Sequence, residues 1–161
     1  MALKSHRIHN DSTIEHFMSA TAERGGIVSL SSTTSSGTAM DQAANTVAYV
    51  AEPSGVEPRG ILMCTVVDED LTRVHRNWHK EEVQVGGKVT VWTQGTVTTD
   101  RIYPGQTPAA GDAAYVGHSG FIANSDVASD SGPDASADRK VGRFITGKDE
   151  DGYAKVQINL P

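Results

Sequence analysis

The chain has 161 residues and a net charge of −6, and its 14 basic residues are scattered rather than clustered. This excludes nucleic acid as the main partner, because phosphate binding needs grouped Lys and Arg side chains. Hydrophobic residues make up 37% of the chain and aromatic residues only 6%, so we expect one domain with a modest core of short strands and tight turns. No apolar run approaches the roughly 18 residues that span a membrane, and residues 1–10 lack the apolar centre of a signal peptide. We therefore expect no membrane partner and synthesis in a cytoplasm-like compartment.

The first 40 residues are predicted to form an extended N-terminal arm and a linker. Residues 1–26 are polar, and Asp11 or Ser12 is placed to cap a short helix through Phe17 and Met18. Such a helix buries little by itself, so we expect it to order against a partner, and deleting residues 1–26 should leave the domain folded. The apolar side chains of the arm are candidate partner-binding residues: Ile8, Ile14, Phe17 and Met18. The Ser/Thr-rich stretch at residues 30–37 is typical of a linker, so the arm and linker span residues 1–40 and a β-domain spans residues 41–161.

Two short strands are predicted at the start of the β-domain. Residues 46–51 are β-prone and end at turn residues 52–55, whereas residues 60–67 form a continuous apolar run of strand length. Cys64, the only cysteine, lies inside this run. It is therefore expected to be a small buried side chain rather than a nucleophile or a disulfide partner.

Residues 68–80 carry apolar side chains at helical spacing, which predicts one or two amphipathic turns. A helix here would pack on the domain or project toward a partner. Three of its residues join the candidate partner-binding set: Leu71, Val74 and Trp78.

Hairpins are predicted for the remainder of the chain. Turn glycines separate the alternating segments 83–85 and 88–92, which predicts one hairpin, and the segments 113–116 and 121–123, which predicts another. A further strand is expected within residues 95–103. The clearest pair is residues 141–146 and 153–160. In its second strand one face is apolar and the other polar, so one side should be buried; the apolar set is Ala154, Val156, Ile158 and Leu160.

The sequence contains no convincing catalytic or metal-binding constellation. His75 and His79 have zinc-like spacing, but the glutamate of a catalytic His-Glu-x-x-His motif is missing and no third ligand is identifiable. Four aspartates recur at every fourth position, whereas calcium loops place ligands at every second position; they are Asp126, Asp130, Asp134 and Asp138. We therefore predict no metal, no cofactor, no catalytic residues and no enzyme activity.

Several segments, taken in order, carry a family resemblance. They are residues 58–63, 82–91, 108–116, 141–145 and 148–156. Their order is a Gly-Asp-x-x-Tyr-Val strand, a glycine turn, a long loop, and a Val-Gly-x-Phe strand that closes on a final hairpin. Over residues 41–161 the chain resembles the small capsid cement, or head-decoration, proteins of tailed phages.

The resemblance implies an all-β barrel or sandwich that binds the major capsid protein on the outer capsid surface of the virion and cements neighbouring subunits. It also implies a homo-oligomer, with a trimer preferred to a dimer, and no catalytic residues. Exposed strand edges and the arm would bind the partner, the arm by adding a strand to its sheet. Two other functions stay open: a tail or baseplate β-module of a phage, and a small carbohydrate-binding module.

Overall fold

The computed structural model describes residues 3–4, 10–31, 45–51, 56–66, 69–70, 75–76, 81–124 and 140–160. In these ranges the chain is all-β, which confirms the predicted fold class. The strands are β1 (Leu3–Lys4), β2 (Asp11–Met18), β3 (Ala22–Glu23), β4 (Ile27–Leu30), β5 (Thr46–Ala48), β6 (Pro58–Thr65), β7 (Glu69–Asp70), β8 (His75–Arg76), β9 (Glu82–Val83), β10 (Lys88–Thr99), β11 (Ala113–Val116), β12 (Ile122–Ala123), β13 (Lys140–Phe144) and β14 (Ala154–Asn159). Across the same ranges no helix has the length and apolar character needed to cross a membrane.

Five strands close into a small barrel. The N-terminal half of β10 pairs with β2 on one edge and with β6 on the other, since Val89 lies opposite both His16 and Thr65. The ring is completed in the order β10-β2-β5-β4-β6, and only the β2–β5 pair is parallel. Its interior is one apolar cluster of fully buried side chains: Met18, Val28, Val47, Leu62, Val83, Val89 and Val91.

The C-terminal half of β10 begins a second curved layer, in the order β10-β14-β13-β11-β12. A parallel bridge between Ile102 and Ile122 brings β12 back to the segment that follows β10. The inner face of this layer packs on one outer face of the barrel, where Ile27, Ile61 and the half-buried Trp92 join its apolar cluster. One 12-residue strand is therefore shared by both layers and fixes their positions.

Two local contacts bind the segments after β5 and β10 to the turn between β3 and β4. The hydroxyl of the half-buried Tyr49 donates to the Glu23 carbonyl at 2.6 Å and accepts from the Gly26 amide at 2.9 Å. Desolvation raises the pKa of this phenol. Arg101 forms an ion pair with the Glu23 carboxylate, and its guanidinium carbon lies 5.8 Å from the Tyr49 ring centroid. The segment after β10 is thereby bound to the turn between β3 and β4.

Gly60 permits the closest approach between β6 and β10. Its φ is +155°, and a Cβ atom at this position would overlap the Trp92 carbonyl oxygen and lie 2.7 Å from Val91 Cγ1. A side chain there would force the two strands apart.

The helix predicted through Phe17 and Met18 is wrong, because residues 11–18 form strand β2. Pairing with β10 supplies this segment's main-chain hydrogen bonds and buries Met18 in the barrel, which outweighs a helix that would bury little. Strands β2 and β4 thus extend the β-domain into the stretch that the sequence assigned to the arm. Residues 1–2, 5–9 and 32–44 lie outside the described ranges.

The downstream predictions are confirmed in some segments and corrected in others. The β11–β12 and β13–β14 hairpins are present, and the apolar residues of β14 are buried as expected. The predicted hairpin across Gly86 and Gly87 is wrong, because Val83 pairs with Ala22 of β3 instead of with β10. Within residues 68–80, the described parts form the antiparallel pair β7–β8, not a helix.

Candidate partner-binding surface

The predicted partner-binding residues separate into accessible, buried and undescribed positions. Ile14 on β2 is 52% exposed, and Phe17 is half-buried beneath Lys88, whose Nζ lies 6.0 Å from the ring centroid. Met18 is fully buried in the barrel core, so the proposal that it contacts a partner is corrected: its side chain stabilises the fold. The other predicted residues lie outside the ranges whose side chains are described: Ile8, Leu71, Val74 and Trp78.

A bulge in β2 exposes Ile14. His16 lies opposite Val89 and Thr13 opposite Val91, so Ile14 and Glu15 share the single opposing position of Thr90. Such an extra residue bends a strand and turns its side chains outward. The first strand of the barrel therefore presents one apolar and one acidic side chain to solvent.

A buried histidine lies beside this bulge. His16 Nε2 accepts a hydrogen bond from Arg59 Nε at 2.9 Å, which leaves the ring proton of the neutral imidazole on Nδ1. Burial, followed by the Arg59 charge, lowers the pKa of His16. Arg59 also contacts the Glu15 carboxylate at 2.9 Å, and this hydrogen bond is the main cause that lowers the pKa of Glu15. The arrangement requires an uncharged His16 and fixes β6 against β2.

The outer face of the second layer carries a different set of side chains, which we call the cationic face: Tyr115, Lys140, Arg143, Ile145, Lys155, Gln157 and Asn159. Because β14 alternates, Lys155, Gln157 and Asn159 lie on the face opposite its buried residues. The strand register places Arg143 directly opposite Gln157 and Lys140 opposite Tyr115. Residues facing each other in this way project to the same side of a sheet.

A groove of about 590 Å³ runs along this face. Its lining includes Lys140 and Arg143 from β13, Gln157 and Asn159 from β14, and Asp11 at the start of β2. Its walls are thus polar, with two cations toward β13 and one carboxylate toward the barrel. This chemistry suits an anionic, hydrogen-bonding surface better than an apolar one.

Two glycines flank the centre of the groove, since Gly95 and Gly142 both lie opposite Ile158. A Cβ on Gly142 would overlap the Gln157 carbonyl, and one on Gly95 would overlap the Asn10 side chain. Asn10 Oδ1 in turn accepts the Thr96 amide at 3.1 Å. Gly142 therefore lets β13 approach β14 closely, and Gly95 makes room for the Asn10 side chain that binds β10.

The cations of this face differ from the other arginines of the described ranges in their ion pairing. Among the described residues, none forms an ion pair with Lys140, Arg143 or Lys155. By contrast, Arg24, Arg59 and Arg101 each pair with a glutamate. This surface was not predicted from the sequence: the polar alternation of the last strand is visible there, but its cationic neighbours on β13 are separated from it in the chain.

Other residues considered in the sequence show no such arrangement. Cys64 is half-buried on β6 rather than fully enclosed. Of the His75 and His79 pair, only the backbone of His75 in β8 is described. In the part of the chain that the structure covers, His, Cys, Asp and Glu side chains form no group of three or more suited to a metal ion.

No protein-family model matches the chain, and no curated protein sequence matches it.

Proposed function

We propose that this protein is a structural component of a tailed-phage virion that binds the outer capsid surface and cements neighbouring major capsid subunits. The observation that supports this proposal is the arrangement of the segments with the family resemblance. Residues 111–116, 141–144 and the final hairpin are consecutive neighbours in one layer, in the order β11-β13-β14. The C-terminal segments of the resemblance are therefore contiguous in the sheet.

The fold suits a role that depends on binding. Two layers share β10, and each has its own apolar cluster, so a small chain forms a rigid unit with a broad outer sheet face. A rigid face loses little conformational entropy on docking. Many copies on one shell would together multiply a modest affinity per site.

The test uses heads of the encoding phage that lack this protein. Purified protein should co-sediment with expanded heads and raise the temperature at which they release DNA, and a reconstruction should show added density outside the shell. Absence of co-sedimentation under near-physiological salt would refute a capsid role. Density confined to the tail or baseplate would favour the alternative β-module.

We also propose that the bound form is a homotrimer, as the resemblance implies. Local threefold axes of a shell present three equivalent sites, and a closed symmetric ring satisfies all of them. Light scattering of the free protein and symmetry analysis of the decorated head test this proposal. Isolated monomers scattered over the shell would contradict it.

A further inference from the structure

We infer that the cationic face is the docking face and that its occupant is an acidic surface of the major capsid protein. This inference rests on the proposed function and specifies which side of the molecule meets the shell. The bulge of β2 offers Ile14 beside Glu15, which is already paired with Arg59. The cationic face offers three cations that form no ion pair with any described residue.

Charge distribution is the first argument. The whole chain carries a net charge of −6, yet Lys140, Arg143 and Lys155 lie on one face without a carboxylate partner among the described residues. Two residues along a strand span about 7 Å, and opposite residues are about 5 Å apart. Arg143 and Lys155 therefore lie within about one Debye length of each other at physiological salt, so their fields add toward an anionic partner.

Side-chain chemistry is the second argument. Arg143 offers a planar set of donors, and the exposed amides of Gln157 and Asn159 beside it donate and accept hydrogen bonds. Tyr115 and the 39% exposed Ile145 add apolar contact area. Arginine and tyrosine are the residue types most often found at the energetic centres of protein interfaces.

An acidic protein surface fits this face better than nucleic acid does. The turn that joins β13 to β14 carries three exposed acidic residues, Asp149, Glu150 and Asp151. A continuous phosphate backbone that extended past this turn would be repelled there. A protein partner can instead place a few carboxylates opposite the three cations and leave this turn uncontacted.

The experiment compares single charge reversals of equal size. Arg143→Glu and Lys155→Glu change the cationic face, and Lys88→Glu makes the same charge change on the barrel, away from the groove. All three side chains lie outside the apolar clusters, and circular dichroism checks that each variant is folded. Affinity for expanded heads is measured by co-sedimentation at about 50 and 200 mM salt, with duplex DNA in a parallel titration.

We expect Arg143→Glu and Lys155→Glu each to weaken head binding about tenfold or more, as for residues at interface centres, and Lys88→Glu to change it less than about twofold. Raising the salt should weaken wild-type binding more than that of Arg143→Glu.

Three results would overturn the inference. If the wild type binds heads and both reversals bind equally well, the docking face is elsewhere while the capsid role stands. If the wild type does not bind heads, both proposals fail. If the reversals abolish only DNA binding, or only self-association, the face serves nucleic acid or a second copy instead.

Discussion

Replacement of Met18 by alanine tests whether the N-terminal strand belongs to the core. Met18 is 0% exposed and packs with Val28, Val47 and Leu62 inside the barrel. Truncating a buried methionine loses its transfer free energy and leaves a cavity, which together cost about 2–5 kcal/mol. Because the barrel is closed around this side chain, its walls cannot collapse freely, and we expect a loss near about 3 kcal/mol.

Ile14→Ala is the matched control on the same strand. Its side chain is 52% exposed at the bulge, so the unfolding free energy should change by no more than about 0.5–1 kcal/mol. The assay is equilibrium urea unfolding followed by circular dichroism, with the slope on denaturant checked to be unchanged. A Met18→Ala loss as small as that of Ile14→Ala would refute the placement of β2 in the core.

The position of β2 in the barrel reverses the sequence-based expectation that residues 1–26 can be deleted without unfolding the domain. Deleting residues 1–26 removes β2, which closes the barrel between β10 and β5, and exposes the edge of β10 together with the apolar cluster. The truncated protein should therefore lose cooperative unfolding rather than keep a folded β-domain. A cooperative transition near that of the full chain would show that the barrel closes without β2.

Three further predictions concern single side chains. Burial lowers the pKa of His16 in the folded state. The stability that depends on its neutral form is therefore complete above about pH 6.5 and is lost as the pH falls through the lower folded pKa. Urea unfolding at stepped pH should show this loss, and His16→Gln should reduce it. Gly60→Ala should lower the free energy of unfolding by about 2–4 kcal/mol in urea, because overpacking adds to backbone strain. The control Gly152→Ala has no atom within 4 Å of the added Cβ and should lower it by about 1 kcal/mol. Tyr49→Phe removes the acceptor of the Gly26 amide and the donor to a carbonyl, so thermal and urea unfolding should show a loss of about 1–3 kcal/mol.

The fold class and the C-terminal hairpin could be predicted because their signals are local. In β14 every second residue is apolar, and this period alone identifies the buried face of a strand. Gly152 and its neighbours in the same way mark the turn that joins β13 to β14, with Asp149 Oδ1 accepting the Tyr153 amide at 2.7 Å. Neither inference required knowledge of the rest of the chain.

Strands β2 and β10 were harder to predict because bulges and glycines interrupt their periods. The bulge at Ile14 and Glu15 places the apolar residues of β2 out of alternation, so Phe17 and Met18 resemble a helical turn. In β10, Gly95 divides what the structure shows to be one strand, and the sequence alone does not show that this strand serves two layers. Tertiary pairing therefore overrode the local signal in both places.

The cationic face depends on register, which is a long-range property. Lys140, Arg143 and Lys155 are brought together only when β13 pairs with β14 so that Arg143 meets Gln157. A shift of one residue would move Arg143 to the other face of the sheet. From the sequence, the candidate site could therefore be predicted only as the polar face of β14 and not as a group of three cations.

Closure of the two layers also decides how a partner can be recognised. Strand addition needs unpaired main-chain groups along an open edge. Within the described sheet, β13 and β14 each have a paired strand on both edges, so neither offers an open edge. Recognition through this layer must therefore use side chains on its outer face, and it should respond to single charge reversals and to salt, whereas strand addition would tolerate both. A salt-insensitive complex that tolerates Arg143→Glu would thus indicate that the partner binds a strand edge elsewhere in the chain.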